Sequence, residues 1–326
     1  MATTAQRVPL TARNAPPRLA VGSMYAPPPR RGALTARPTS GYNTAATARK
    51  HDPLAVHGYA TLSPIAQGAF SQVTRARHNA SHREVAIKTF NKAKYAKEPA
   101  LAQAMKNELG VLQLLQPHGH AAIANILEIV DTKNSILAVL EYCGGGSLLR
   151  CLQSLPGHGG GHATGLGEDM SKRVARQVAQ ALEHMHGLGV AHRDIKPENI
   201  LFLDATQMQA KLCDFGFSIH CGTKRVRTVC DSPQYMAPEL AKREPYAAWA
   251  VDMWAFGALV YEMLENKPAF RGSSMEQMQI RILRGSHEAF GQAVPQAARA
   301  LIRSLLQVDV TVRMPARDAL AHPWLR

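Results

Sequence analysis

Apolar and polar positions along the chain fall into three recurring patterns. Short apolar runs that end abruptly at polar or turn residues predict strands: Val85-Ala-Ile-Lys88, Ser135 to Leu140, Ile200-Leu-Phe-Leu203 and Ala210-Lys-Leu-Cys213. The apolar stretch from His120 to Leu127 reads the same way. Recurrence at three- and four-residue steps predicts helices. Leu101, Met105, Glu108, Leu112 and Leu115 form one such face, started by Pro99 and stopped by Pro117. Val174, Val178, Ala181, Leu182 and Met185 mark a second, and Leu148–Leu155 a short third. Ala247–Leu264 is apolar on all sides, which predicts a buried helix. Between these, Pro156–Gly167 holds six glycines with His158 and His162 and reads as a surface insertion, a metal role for the histidines being the other reading.

One position breaks the pattern informatively. Glu108 is the charged member of an otherwise apolar stripe, and a carboxylate there is costly unless paired. A lysine at the end of a strand, Lys88, is its natural partner.

A chain of 326 residues is too long for one small core and fits two lobes plus a tail. Residues 1–57 are rich in Ala, Thr, Pro and Arg, and their prolines break any long helix. They read as a disordered tail, with an organelle transit peptide as the alternative. The net charge of +14 is uneven: residues 1–51 carry eight of the 38 basic residues and none of the 24 acidic ones. The basic balance is therefore partly a tail property and does not argue for a nucleic-acid domain. Five cysteines, an odd count with no C-x-x-C spacing, argue against a disulfide framework or zinc site and suit a reducing, cytoplasmic setting. The apolar run Met253–Tyr261 is too short to span a bilayer.

The chemistry concentrates in Val190-Ala-His-Arg-Asp-Ile-Lys-Pro-Glu-Asn199, which abuts the strand-like Ile200–Leu203 run. Charges alone fit a solvated loop equally well. A second signal decides: the run Ala210–Cys213 ends in Asp214-Phe-Gly216. A hairpin of the two runs returns Asp214 to the polar cluster. Together the motifs match the H-R-D-L-x-x-x-N loop and the D-F-G of protein kinases, with Ile195 where the pattern has Leu. Here the chain resembles the eukaryotic protein kinase family, and Lys196 in its Lys-Pro-Glu-Asn run resembles the serine/threonine type. The resemblance implies that ATP donates its γ-phosphate to a protein hydroxyl. Asp194 would orient that hydroxyl and accept its proton, Lys196 would neutralise γ-phosphate charge, and Asn199 and Asp214 would supply hard oxygen ligands to Mg²⁺.

Other stretches carry the resemblance further. Ile65-Ala-Gln-Gly-Ala-Phe-Ser-Gln-Val73 is similar to a kinase glycine-rich loop, whose pattern falls on Ala66, Gly68, Ser71 and Val73 and keeps only the middle glycine. Lys88 would contact the α/β-phosphates with Glu108 as its ion-pair partner. Leu140-Glu-Tyr-Cys143 would be the hinge: Leu140 beside the adenine, the Glu141 carbonyl and the Cys143 backbone groups bonding its edge. Ile65, Val73, Ala86 and Leu201 complete that implied nucleotide site. Ala237-Pro-Glu239 matches the end of an activation segment, with Arg313 as the expected partner of Glu239, and Asp252 is expected to accept backbone N–H groups from the catalytic loop. Ser232 would bond near Asp194. Arg193 and Thr228 would form a phosphorylation switch, and Glu198 and Glu262 fall where basophilic kinases bind substrate arginines.

The implied fold is α+β and bilobal: a small antiparallel β lobe with one helix at about 58–140, a hinge at 141–146, and a mainly helical lobe at 147–326. Ser232-Pro233 and the His322-Pro-Trp324 ending look like the calcium/calmodulin-dependent and AMP-activated group, while Phe270-Arg-Gly-Ser-Ser274 is also similar to autophagy-initiating kinases. Partners would be protein substrates, met by a monomer. The incomplete glycine-rich loop leaves one alternative, a pseudokinase scaffold without turnover.

Overall fold

The computed structural model describes residues 54–67, 71–157, 165–226 and 232–326. Gly68, Thr228, His158, His162 and the chain before Leu54 lie outside the described residues.

The first lobe is an antiparallel sheet of strand order β1-β2-β3-β5-β4. Its strands are β1 (Tyr59–Gln67), β2 (Ser71–His78), β3 (Glu84–Asn91), β4 (Ile126–Asp131) and β5 (Ser135–Glu141). Side chains alternate between the two faces of a strand. Val85 and Ile87 of β3 therefore join one cluster with Leu54, Tyr59, Ala76, Leu137 and Val139. Ala86 and Phe90 point the other way, into the main core with Val73, Ala138 and Leu140. Lys88 shares that inward parity. Leu54 is buried in the outer cluster and the 3-10 turn Ala55–His57 follows it, so the packed lobe includes residues that composition assigns to the tail.

Two helices lie between β3 and β4. The short α1 (Lys92–Tyr95) is capped by Asn91, whose side chain accepts from Lys94 N. The longer α2 (Pro99–Leu115) starts at the proline and buries Leu101, Glu108, Leu112 and Leu115, as the stripe predicts. The expected strand from His120 to Leu127 is a correction: β4 begins only at Ile126. Residues before it spend their backbone groups on the second lobe instead. Ala124 N donates to Leu212 O at 2.9 Å, and Leu212 N to Ala122 O at 2.8 Å.

The second lobe begins with α3 (Leu148–Gln153), capped by Ser147, and α4 (Glu168–Gly187). Four short strands follow: β6 (Val190–Ala191), β7 (Ile200–Phe202), β8 (Ala210–Leu212) and β9 (Ile219–His220). β7 and β8 form the expected antiparallel hairpin, and β6 pairs with β9. Next come β10 (Arg225–Val226), α5 (Pro238–Ala241) and β11 (Tyr246–Ala247), with β10 paired to β11. α6 (Ala248–Glu265) runs through the centre, and Trp254, Phe256, Leu259 and Tyr261 are fully buried on it. Each such side chain contributes about 1.5–3 kcal/mol by leaving water. α4 and α8 (Gln296–Leu305) pack on α6, and α7 (Met275–Leu283) and α9 (Ala316–Ala321) complete the lobe. Gly257 allows the α6–α8 approach, since a Cβ there would lie 2.8 Å from Leu305 Cβ. Among the described residues no helix is long and apolar enough to cross a membrane.

The lobes join through 141–146, and the linker is stapled to β7. Gly144 N donates to Leu203 O at 2.9 Å, Gly145 N to Phe202 O at 3.0 Å, and Phe202 N to Gly146 O at 2.9 Å. A Cβ on Gly145 would meet Asp204 O at 2.0 Å, so the staple requires glycine there.

Candidate active site

The polar loop after β6 is held from below by α6. Asp252, fully buried, accepts from His192 N at 2.9 Å and from Arg193 N at 2.6 Å, and contacts His186 Nε2 at 2.8 Å. These bonds hold Arg193 in a left-handed conformation, φ 66°, and Asp214 has φ 60°. Such backbone costs about 1–3 kcal/mol at a non-glycine residue and persists only where the surroundings impose it. His192 ties the two strained segments together. Its Nε2–H donates to Cys213 O at 3.0 Å while its Nδ1 accepts from Asp194 N at 3.3 Å, and its edge meets Phe215. A carbonyl only accepts and an N–H only donates, so this network places the ring hydrogen on Nε2.

Asp194 sits at the centre of a hydrogen-bonded cluster. Its Oδ1 accepts from Ser232 Oγ at 2.7 Å, and its Oδ2 from Asn199 Nδ2 at 2.8 Å. Lys196 Nζ is 2.8 Å from Asp194 Oδ2 and 3.2 Å from Ser232 Oγ. Asn199 Nδ2 also donates to Asp194 O at 2.8 Å, which fixes the amide. Its Oδ1 is buried and has no hydrogen-bond partner among the described residues. An oriented, unpaired amide oxygen is a hard donor waiting for a cation.

Lys88 brings the lobes together. Its ammonium bonds Glu108 from α2 and lies 3.2 Å from Asp214 Oδ1, which also accepts from Gly216 N at 3.3 Å. All three residues are buried. Burial works against the Lys88 ammonium, but Asp214 and Glu108 outweigh it and raise its pKa. Burial likewise pushes the Asp214 carboxyl up, but Lys88 and the Gly216 N–H hold it below the ordinary carboxylate value. Burial raises Glu108 against the pull of Lys88. Asp214 and the free Asn199 oxygen together fit a hard divalent ion.

The nucleotide side of the cleft is apolar. Val73, Ala86 and Leu140 come from the first lobe. Leu201 comes from the second and clusters with Ala124, Cys143 and Cys213. Ile65 and Ala66 are partly buried and pack on the main core. The Cys143 backbone N–H and C=O make no hydrogen bond among the described residues, which leaves both for a ligand edge. Burial pushes the Cys143 thiol up to about 12, so it acts as an apolar wall. The Glu141 side chain has a role that the hinge motif does not announce. It accepts from Asn125 Nδ2 at 3.1 Å and pairs with the buried Lys211 at 2.7 Å. Lys211 was hidden in an apolar run; a lysine at such a position needs a partner, and that was the available signal.

Beside this cleft lies a cavity of about 710 Å³ lined by Glu198, Tyr235, Glu262 and Phe270 among others. Tyr235 Oη donates to Glu262, and Glu198 Oε2 is buried without a partner among the described residues. Burial and then Glu262, Glu198 and Asp194 raise the Tyr235 phenol well above its usual value, so these carboxylates share one region. Tyr235 was not picked out by its sequence motif. Arg313, which also donates to Ala250 O of α6, pairs with Glu239 at 2.6 and 3.0 Å, as expected.

The protein kinase domain family matches residues 59–325. The mouse (Mus musculus) serine/threonine-protein kinase H1 is 33% identical over 319 residues, covering 93% of this chain and 71% of that protein. The human (Homo sapiens) H1 protein is 32% identical, and the chain spans 63% of it. Mouse Aurora kinase C is 32% identical over 278 residues, 85% of this chain and 94% of the relative. The matched span contains both lobes and every site residue described above, and so the chain belongs to the protein kinase family, as a serine/threonine protein kinase that uses ATP with Mg²⁺.

Proposed function

We propose that Asp194 is the base of the phosphoryl transfer and that the enzyme selects protein hydroxyls preceded by arginine. Asp194 takes the hydrogen bond of the incoming hydroxyl and then its proton, as the new O–P bond forms and the bond from the γ-phosphorus to its bridging oxygen breaks. Lys196 and Ser232 orient the carboxylate through the bonds at 2.8 and 2.7 Å. Asn199 Oδ1 and Asp214 would hold Mg²⁺, which would supply positive charge to the phosphate oxygens. Lys88, fixed by Glu108, holds the α/β-phosphates, and the Glu141–Cys143 backbone takes the adenine edge between Leu140 and Leu201.

The observation that carries the substrate reading is the acidic cavity beside Asp194. Glu198 Oε2 is buried and unpaired, and Tyr235 orients Glu262. A guanidinium offers five donors in a planar fork and satisfies such a pair of carboxylates. The test is a peptide array with wild-type protein and with Glu198→Gln/Glu262→Gln. Wild type should favour Arg at −3 or −2. The variant should lose that preference and raise KM for the arginine peptide about 10-fold, the effect of roughly 1.4 kcal/mol of charge-assisted bonding. An identical array profile for the two proteins would reject the arginine site.

A further inference from the structure

Ser71 stands where the glycine-rich pattern has its third glycine, and it opens β2. A glycine brings no side chain to that place; serine brings a hydroxyl. In register Ser71 lies opposite Phe90 and Val73 opposite Lys88, so Ser71 shares the inward face with Val73 and Lys88. The Ser71 hydroxyl donates to the phenol oxygen of Tyr95, the last residue of α1. The Tyr95 ring is buried and lies 6.0 Å from Phe90, over which the Lys88 ammonium sits at 5.5 Å. We propose that Ser71 and Tyr95 form a latch that fixes the start of β2 over the Lys88–Glu108 pair, which makes Tyr95 a positioning residue for the phosphates of ATP. The proposal rests on the reading above that Lys88 holds the α/β-phosphates.

Three elements meet at this bond. α1 follows β3 directly, is capped by Asn91 at the end of that strand, and packs on both β3 and α2. Tyr95 is therefore placed by the strand that carries Lys88 and by the helix that carries Glu108. The charges of that pair reach the phenol. Burial and then Glu108 push the Tyr95 pKa up, while Lys88 and the bond from Ser71 pull it down. The contacts close into a ring. Ser71 meets Phe90 across the strands, Phe90 meets Lys88 along β3, Lys88 bonds Glu108 on α2, and Tyr95 beside them returns to Ser71. A segment held in this way is ordered before the nucleotide arrives, so less ordering entropy is lost on binding. The departure from the glycine pattern thus exchanges backbone freedom for a fixed entry into β2. A buried phenol wants a hydrogen-bond partner in any case, so satisfaction of Tyr95 alone is the reading to be separated from the latch.

The experiment measures binding of ATP and of adenosine to the full chain by calorimetry in Mg²⁺ buffer. Tyr95→Phe and Ser71→Ala should each raise Kd for ATP about three- to tenfold, the effect of losing one hydrogen bond. Kd for adenosine, which has no phosphates, should stay within about twofold. KM for ATP should rise in parallel while kcat changes little. The double variant should be no worse than either single one, because both remove the same bond. Ser71→Thr keeps the hydroxyl and should bind ATP as wild type does. An unchanged Kd for ATP in both single variants overturns the latch, whether or not Tm falls, and leaves Tyr95 a packing residue. Equal weakening of ATP and adenosine, or effects that multiply in the double variant, overturns it as well. If Lys88→Met binds ATP as tightly as wild type, the phosphate reading of Lys88 fails first, and the latch with it.

Discussion

Arg313 and Lys88 are both buried cations that meet a distant glutamate, and their surroundings differ. Arg313 directs all three of its guanidinium nitrogens to partners within the protein. Nη1 and Nη2 hold Glu239, Nε donates to Gln307 O at 2.9 Å, Nη1 also reaches Ala250 O at 2.7 Å, and the guanidinium lies over Trp254. At Lys88 one ammonium faces two carboxyl groups, Glu108 and Asp214, so it cannot satisfy all of their oxygens. Close by, Asn199 O accepts from Cys213 N at 2.9 Å while Asn199 Oδ1 stays unpaired. A closed ion pair ties the fold; an open one reserves charge and donors for ligands.

The largest test of that contrast lies at the open end. Asp194→Asn should leave ATP binding largely intact and cut turnover by about 10²–10⁴-fold, the range for losing general acid–base assistance. Near-normal turnover would remove Asp194 from the chemistry.

Exchanging the two cations for methionine should separate activity from stability. Lys88→Met should lower kcat/KM for ATP by about 10²–10³-fold, comparable to deleting a preorganised electrostatic contact. Arg313→Met strands Glu239 in the core and should cost about 3–5 kcal/mol. At ~2–4 °C per kcal/mol for a domain of this size, Tm should fall by roughly 6–20 °C. Calorimetry alongside initial rates at low temperature makes the comparison. If Arg313→Met loses turnover in protein that is still folded, or Lys88→Met loses the larger share of Tm, the division into closed and open pairs is wrong.

The smallest effect concerns a titrating contact between the lobes. Burial and then the stacked His184 lower the His120 pKa. The folded state therefore binds fewer protons than the unfolded state in the window below the unfolded value of about 6.5. Stability should rise with pH through that window and fall as the solution is acidified from about pH 7 to 5. His120→Gln should flatten this part of the Tm–pH curve, and an unaltered slope would assign the effect elsewhere.

The legible parts of this protein were those where sequence placed a costly group in a regular pattern. Glu108 stood out because its stripe was otherwise apolar, and the structure pairs it with Lys88. The β7–β8 hairpin was visible as two apolar runs, and it returns Asp214 to Lys88. The Arg313–Glu239 tie was accessible only by family resemblance, because nothing local links residues so far apart. Two-residue strands such as β9, β10 and β11 have no periodicity to read. The segment from His120 to Asn125 was apolar enough to look like a strand, but its backbone partners belong to the other lobe. Lys211, Glu141 and Asn125 escaped for a similar reason: their meeting depends on how β8, the hinge and that segment assemble.

The linker staple has a mechanical consequence. Gly144, Gly145 and Gly146 are bolted to β7 and its exit, so they travel with the second lobe as one rigid piece. Rotation between lobes must then be absorbed in the few bonds from Glu141 to Cys143, where hinge motions are typically concentrated. That pivot coincides with the backbone proposed to hold the adenine edge. A bound nucleotide therefore acts at the axle and not at the end of a lever: it stiffens rotation about the pivot with little leverage over the angle, while the phosphates, far out on the arm, set how far the lobes close.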